Sequence, residues 1–273
     1  MELPSALSPL AAQLAAARSP EDLAGVARDY RAAVETGDPA AMYALGVLLY
    51  EGHVGRREVI DGRRWLQDAA HAGHAGAAAE LARIEACPRE QYAIGQALVH
   101  GVGVPAQPSE GLAWLRKAAT QGLRQARLLL GECLFHGHGV APDPAAALPW
   151  LRAAAEDGCA DAQDALATAY HHGLGVAADA REAVRWLRLA AAQGRIRAEY
   201  ALCLALRDGH GTEPDPADAA HRLAALVEKG HVGAKEALGR MYVDGHGVTA
   251  DAQRGLALLT MAARDRGPRR LPG

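Results

Sequence analysis

The chain has 273 residues, half of them hydrophobic, and a formal net charge of −3. This balance provides no basic surface of the kind that binding to nucleic-acid phosphates usually requires, so we expect no nucleic-acid partner. The sequence contains no uninterrupted apolar run of about 18 residues, and it therefore predicts no membrane span. The composition, rich in alanine, arginine and glycine, is typical of a bacterial protein.

We expect no secretory signal in the first residues. Glu2 comes early, no Lys or Arg precedes the apolar run Leu10–Ala17, and Pro4 and Pro9 interrupt the segment. We therefore expect a cytoplasmic protein. Residues 9–18 predict a short helix instead.

A second helix is predicted to follow at once. Ser19 suits an N-cap, Pro20 the first helical position, and acidic residues occupy the first turn. The helix is expected to run to about Glu35, where Gly37 closes it. The two helices, with half of an early repeat, are predicted to cap the chain over residues 1–40.

A repeat of 36 residues organises most of the chain, as the spacing of Trp114, Trp150 and Trp186 shows. An interval of about 20–50 residues marks a solenoid, a propeller or an array. Alanine and leucine dominate, and each unit splits into two helical runs such as Ala126–Phe135 and Ala145–Glu156. The sequence therefore predicts an all-α superhelix, a solenoid of helix-turn-helix repeats.

The repeats are expected to fill residues 41–273, with one break in register. From Trp65 to Trp114 is 49 residues, which exceeds one interval and predicts an irregular insertion at 74–90. Either an extra helix is inserted, or one unit has lost its second helix. Both alternatives predict a kink near Pro88, and with it a candidate subdomain boundary. The predicted units are about 41–73, 91–122, 126–158, 162–194, 198–230 and 234–266.

Each unit carries a recurring string, LG-x-x-(Y/F)-x-x-G-x-GV followed by A-x-x-W-L-x-x-AA-x-x-G-x-x-x-A. LGECLFHGHGV and LGRMYVDGHGV fit it closely. This string resembles the Sel-1-like repeat family, a relative of the tetratricopeptide repeats with a glycine-rich turn between its helices. The resemblance covers roughly Ala41 to the C-terminus. It implies a curved superhelix that holds a protein or peptide partner, as adaptor, scaffold or regulator rather than as an enzyme.

Candidate binding residues follow from the first, or A, helix of each unit, which lines the concave face of helix-pair solenoids. A small residue recurs in each A helix, as at Gly95 and Gly131, and positions three before and four after it are expected to project outward. Aromatic residues and arginine are enriched in binding hot spots. The alternative is that some of these residues pack between helices. The predicted partner-binding residues are Tyr43, Tyr50, Tyr92, Val99, Leu128, Phe135, His171, Tyr200 and Arg207.

Histidines recur in the turns, with local pairs at His136 and His138 and at His171 and His172. Imidazole is a common metal ligand. Successive units of a helix-pair stack lie on the order of 10 Å apart, however, whereas a zinc–nitrogen bond is about 2 Å. We therefore expect these histidines to cap helix ends and predict no metal site.

Catalytic motifs are missing from the sequence. It contains no Gly-x-Ser-x-Gly, His-Glu-x-x-His or Walker motif, so we expect no enzymatic activity and no cofactor. The four cysteines show no paired spacing, and Cys133, on a predicted core face, is interpreted as a small buried hydrophobic residue.

Two functions remain open from the sequence. The first is a non-enzymatic protein-interaction module that binds a peptide or domain in the concave groove, with an inhibitor of one cognate protein as a narrower variant. The alternative is a sensor that binds a small molecule or metal near the irregular unit or the histidine-rich turns. No capping helix is predicted after the last unit, so self-association through that unit is a further prediction.

Overall fold

A computed structural model describes residue 16 and residues 19–53 and 58–266. Every regular element in those ranges is an α-helix, which confirms the predicted all-α class of helix-turn-helix repeats. The predicted helix over residues 9–18 lies outside the described residues apart from Ala16. The helices are α1 (Pro20–Val34), α2 (Pro39–Glu51), α3 (Val59–His71), α4 (Ala75–Ala86), α5 (Pro88–His100), α6 (Pro108–Thr120), α7 (Arg124–His136), α8 (Pro144–Glu156), α9 (Ala160–His172), α10 (Ala180–Ala192), α11 (Ile196–Asp208), α12 (Pro216–Glu228), α13 (Val232–Asp244) and α14 (Ala252–Asp265).

Helix α1 begins where the sequence predicts. The Ser19 hydroxyl accepts a hydrogen bond from the Asp22 backbone N–H (3.1 Å), and the Asp22 carboxylate accepts one from the Ser19 N–H (3.0 Å). This reciprocal capping box satisfies two backbone donors that the helix itself leaves without partners. Further along α1, Tyr30 and Val34 are buried in one apolar cluster with Leu45 of α2. The helix therefore covers one side of the first repeat.

Within a repeat, the A helix and the second, or B, helix touch at small residues. A Cβ atom built on Gly95 of α5 would lie 2.9 Å from the carbonyl oxygen of Gly111 in α6. A Cβ on Gly111 would lie 2.8 Å from the carbonyl oxygen of Gly95. Gly46 and Gly62 form the same contact in the first pair. The close helix approach that the recurring small residue predicts is thus present, and its partner glycine on the B helix is an additional finding.

Turns and caps between the helices also follow the sequence. Helices α5 and α7 end at Gly101 and Gly137, whose φ angles of 66° and 76° lie in the left-handed region. Glycine adopts this region without steric cost. Asp143 caps α8, since its Oδ1 accepts from the Ala146 N–H at 3.0 Å, and Pro144 takes the first helical position.

The break in register is a single helix, α4, between the first and second pairs. Its buried Ala77 and Ile84 pack as in an A helix following α3, and Cys87 alone links it to α5. No second helix intervenes, which favours the alternative in which one unit has lost its B helix. Toward α5, α4 stands in for a B helix: Gln91 Nε2 donates to the Glu85 carbonyl oxygen (2.6 Å) at the end of α4.

Tertiary contacts divide the chain into two compact units. The first contains the described residues up to Cys133 together with 137–141, and the second contains 134–136 and the described residues from Pro142 onward. The division therefore falls in α7 and the turn after it, and the subdomain boundary expected near Pro88 stays a prediction. Helix α4 packs against both α3 and α5, so the irregular segment lies inside the first unit.

The described part of the chain contains no helix that is a candidate membrane span. None of its helices combines the length and the apolar character that a membrane span requires.

Candidate functional site

A cavity of about 540 Å³ lies within the second compact unit, between the A helices α9 and α11, with the B helix α10 as its floor. Ligand sites in proteins are typically concave and mostly apolar with a few polar groups, and this cavity has that character. It is therefore the candidate site. Its lining consists of Asp164, Ala167, Thr168, His171, His172, Ala180, Ala183, Val184, Leu187, Arg197, Ala201, Leu204, Ala205, Asp208 and His210.

Short side chains create the space. Ala167 of α9 faces Ala201 and Ala205 of α11 across a floor that includes Val184 and Leu187. Thr168 borders the cavity at a repeat position where the other units of the 36-residue register carry longer side chains. Those residues are Gln96, Glu132, Leu204 and Arg240. Thr168 is thus a local departure from the repeat at the edge of the cavity, whereas the alanines of the lining are small residues that most units share.

An ion pair closes one part of the rim. Arg197 Nε lies 2.9 Å from Asp164 Oδ2, with the Asp164 side chain 7% exposed and that of Arg197 70% exposed. Arg197 Nη2 also donates to the Thr168 hydroxyl at 3.2 Å. The pair joins α9 to α11 and leaves the guanidinium accessible to a ligand. Because the Arg197 guanidinium is exposed, solvent screens the pair and reduces its contribution to stability.

Histidines and a second carboxylate line another part of the rim. The rings of His171 and His172 meet edge to face, with centroids 4.6 Å apart, and His210 also borders the cavity. The Asp208 carboxylate accepts two hydrogen bonds of 2.7 Å from Arg207. These bonds lower the pKa of Asp208 below its ordinary value, so the carboxylate stays ionised. The rim therefore offers both hydrogen-bond donors and acceptors above an apolar floor.

Comparison with known proteins assigns the repeat. The sequence profile of the Sel1 repeat matches residues 39–74, 91–123, 124–159, 160–194, 196–224 and 232–265, which together make up well over half of the chain. The chain belongs to the Sel1 repeat family. The profile leaves out residues 75–90, which contain α4 and its link to α5. Sel1 repeats generally mediate protein–protein interactions.

Solved structures support the assignment. A Sel1 repeat protein from Oxalobacter formigenes is 30% identical, with 84% of this chain and 88% of that chain covered and a TM-score of 0.56. A protective antigen of uropathogenic Escherichia coli strains that displays an SLR fold is 28% identical, with 88% of this chain covered and a TM-score of 0.62. The present chain covers 48% of that antigen, about half its length. No match was found among curated proteins.

Three of the nine predicted binding residues in this Sel1 repeat protein are buried. Tyr50, Val99 and Phe135 are 1%, 7% and 7% exposed, so the expectation that they project outward is wrong. The position four residues after the A-helix glycine faces the B helix: a Cβ on Gly111 would lie 2.7 Å from Val99 Cγ2. Tyr50 also donates a hydrogen bond to Glu90 at 2.6 Å.

Two further predicted residues contact the next A helix of the Sel1 repeats. Tyr43 stacks on His74 with ring centroids 4.5 Å apart, and Tyr200 packs on His231 at 4.6 Å. Both histidines are N-caps, since their Nδ1 atoms accept from the backbone N–H groups of Ala77 and Ala234. These two histidines are not among the residues predicted from the sequence, although each follows its tyrosine by 31 residues.

The other four predicted residues have different surroundings. Tyr92 and Leu128 are half-buried, and burial together with the charge of Glu132 raises the pKa of Tyr92. Arg207 is half-buried and bound to Asp208, next to the cavity. His171 is the one residue of the nine that lines the cavity. A partner-binding role for all nine stays a prediction. Asp164 and Arg197 were missed as a pair because they lie in adjacent repeats.

Metal-ligand geometry is not found in the described part of the chain, where no three His, Cys, Asp or Glu side chains form a group that could hold an ion. His100, His136 and His172 are the last residues of α5, α7 and α9. The side-chain caps that histidine does provide come from His74 and His231 instead. The comparisons with known proteins do not support the alternative function of a metal or small-molecule sensor.

Proposed function

We propose that this Sel1 repeat protein is a non-catalytic adaptor or regulator that binds a segment of another protein in the cavity between α9 and α11. The observation that carries the proposal is the cavity of about 540 Å³ itself, which is bordered by Thr168 where the other units carry a longer side chain. Its volume suits one or two amino-acid side chains of a partner.

The lining matches a peptide segment in chemistry as well as in size. Val184, Leu187 and the alanines would bury an apolar side chain, and each Å² of apolar surface buried contributes about 25 cal/mol. The exposed Arg197 and His171 can hydrogen-bond to the carbonyl oxygens of an extended backbone. An apolar anchor surrounded by polar groups is the usual anatomy of a protein interface.

Site-specific photocrosslinking tests the proposal. A photoreactive amino acid is placed at His171 or at Asp208, on opposite walls of the cavity, and the full chain is irradiated in its native host. Glu156, exposed at the end of α8, serves as the control position. We expect both cavity positions to crosslink the same protein and Glu156 to crosslink none of it.

Two results would contradict the proposal: different proteins captured at His171 and Asp208, or equal capture at Glu156. The identity of the captured partner also distinguishes an inhibitor from an adaptor. If the purified partner is an enzyme that loses activity when the chain binds it, the chain is an inhibitor, and otherwise it is an adaptor.

A thermal-shift panel of metals and nucleotides tests the sensor alternative, because a ligand that binds only the folded state raises the melting temperature.

We also infer that the exposed face of α14 allows self-association. Leu256 is 60% exposed, whereas residues at the same repeat position in three other B helices are at most 6% exposed. Those residues are Leu112, Val184 and Ala220. This face is covered in those three repeats and partly covered at Leu148 of α8, so the face of α14 is more exposed than its equivalents and is available for a second copy of the chain.

A further inference from the structure

Helix α10 carries three arginines on one face. Arg181, Arg185 and Arg188 follow one another at intervals of four and three residues, and all three are exposed. Residues at these intervals lie on the same side of a helix. At a rise of about 1.5 Å per residue, the three side chains originate along about 10 Å of the helix.

These arginines line a second cavity of about 540 Å³, together with Val184, Leu189, Gly211 and Thr212. The lining contains three positive charges and no acidic residue. The turn that forms the opposite wall is packed tightly on α10, since a Cβ on Gly211 would lie 2.1 Å from the carbonyl oxygen of Ala180. We call this cavity the basic groove.

Contacts around the basic groove leave most of its charge available. Arg188 Nη2 donates to the Thr212 hydroxyl at 3.2 Å, which holds its guanidinium at the groove. Arg185 pairs with Glu182 at 3.0 Å, but its side chain remains 60% exposed. Arg181 has no ion pair among the described residues.

Comparison among the repeats shows that the basic groove belongs to one unit. Arg116 and Arg152 share the repeat position of Arg188, so that arginine is a repeat feature. In the four other units of the 36-residue register, the positions of Arg181 and Arg185 hold no basic residue apart from a histidine, although Arg64 of the first unit precedes its tryptophan as Arg185 does. Their equivalents are Ser109 and Ala113, Ala145 and Pro149, Ala217 and His221, and Gln253 and Ala257.

Thr212 departs from the repeat in the same place. The four other units of the 36-residue register carry valine at this position, as at Val104 and Val176. Two arginines and one hydroxyl group therefore replace uncharged residues at one exposed site. Packing does not require these changes, because the other units form the same helix pair without them.

We propose that the basic groove binds an acidic segment of a partner protein, with carboxylates facing Arg181, Arg185 and Arg188 and an apolar side chain against Leu189. Guanidinium groups bind carboxylates through paired, charge-assisted hydrogen bonds. Leu189 is exposed beside the arginines and supplies the apolar contact. The site goes beyond the function proposed above, since a different face of α10 forms it and only Val184 borders both cavities.

A labelled peptide measures this binding directly. The probe is a fluorescein-labelled, alanine-based peptide with three glutamates and one leucine at helical spacing, compared with the same peptide carrying glutamines. Anisotropy is recorded with the full chain. We expect the glutamate peptide to bind at least about tenfold more tightly than the glutamine peptide. Its affinity should fall as NaCl rises from about 50 to about 300 mM, because salt screens exposed charges.

Variants locate the binding. The double change Arg181→Glu and Arg188→Glu is expected to weaken binding of the glutamate peptide by about tenfold or more, since each reversed charge replaces attraction by repulsion. Arg116→Glu is the matched control, because it reverses an exposed arginine at the repeat position of Arg188 in another unit. Circular dichroism checks folding, and the milder pair Arg181→Gln and Arg188→Gln replaces the double reversal if that variant is unfolded.

Three results would overturn the inference: equal binding of the glutamine peptide, equal loss with Arg116→Glu, or competition by a single-stranded oligonucleotide in preference to the acidic peptide. The last would assign the groove to a nucleic acid. Each result is separate from the crosslinking at His171 and Asp208, which tests the other cavity.

Discussion

Glycine at the helix crossings shows how single residues determine the repeat. In α6, Gly111 lies against the backbone of α5, and a Cβ there would be 2.7 Å from Val99 Cγ2 and 2.8 Å from the Gly95 carbonyl oxygen. Real Cβ atoms do not approach backbone so closely. A side chain of any size at this position must therefore push the two helices apart.

Gly111→Ala is accordingly expected to lower the free energy of unfolding by about 1–3 kcal/mol, the usual cost of overpacking a tight core. Gly25→Ala is the control, because a Cβ at Gly25 in α1 would meet only the Arg28 side chain, at 4.0 Å. That change should raise stability by about 0.4–1 kcal/mol through the unfolded chain. Urea denaturation measures both, and the same sign for the two variants would contradict the argument.

The buried cysteines make a second prediction at the residue scale. Burial raises the pKa of the Cys133 thiol to about 11 and that of Cys203 to about 12. At pH 8 neither forms the reactive thiolate. A thiol reagent should therefore modify only the half-buried Cys87 and Cys159 in the folded chain, and all four cysteines in urea. Rapid modification of all four in the folded chain would contradict the burial.

The raised pKa values of Cys133 and Cys203 also predict how the free energy of unfolding changes with pH. In the unfolded chain the thiols ionise at a pKa of about 8.5, whereas the folded chain keeps both protons until pH about 11. The unfolded state thus releases protons first, and raising the pH favours unfolding. This contribution is fully present below pH about 8.5 and is lost as the pH rises through the folded-state values.

At the scale of helices, buried glutamines join consecutive elements. Gln163 of α9 donates to the Ala155 carbonyl oxygen at the end of α8 (3.1 Å) and accepts from Gln193 after α10 (2.8 Å). Gln91 makes the equivalent pair with Gln121 at 2.9 Å. Each glutamine therefore connects an A helix to the helix before it and to the end of its own B helix.

Gln163→Ala is expected to lower the free energy of unfolding by about 1–3 kcal/mol, because it removes both hydrogen bonds from a buried site. Gln125→Ala, at an exposed position of α7, is the matched control and should change stability by less than about 0.5 kcal/mol. Thermal or urea denaturation followed by circular dichroism compares them. Equal effects would show that these hydrogen bonds do not stabilise the packing.

At the scale of the whole molecule, the last described helix exposes a face that the other repeats cover wholly or in part. Leu256→Glu is expected to weaken self-association, since it places a charge in that apolar face. Met261→Glu is the control, because Leu189 and Lys117 at its repeat position are exposed in other units as well. Sedimentation velocity over a range of concentrations measures the effect. A wild-type chain that stays monomeric throughout would contradict the prediction.

The sequence by itself determined the helix pairs, their caps and their turns, because these depend on contacts a few residues apart. Ser19, Asp143 and the turn glycines specify their local backbone whatever surrounds them. The 36-residue interval and the break before Pro88 could also be read from the sequence, and the repeated string pointed to the Sel1 repeat family. The position of the cavity could not be predicted from the sequence: of the nine residues predicted to bind a partner, His171 alone lines it.

Only the tertiary structure decided which helix faces are covered, because burial depends on the neighbouring helix rather than on position within a repeat. The backbone of Tyr50 lies against Gly62, and the Tyr200 ring packs at a tilt on a histidine of the next A helix, so both predicted surface residues take part in packing. The cavity arises where alanines of α9 and α11 meet over α10. Likewise the basic groove needs a turn of one repeat beside the arginines of another, a juxtaposition that spacing along the chain does not reveal.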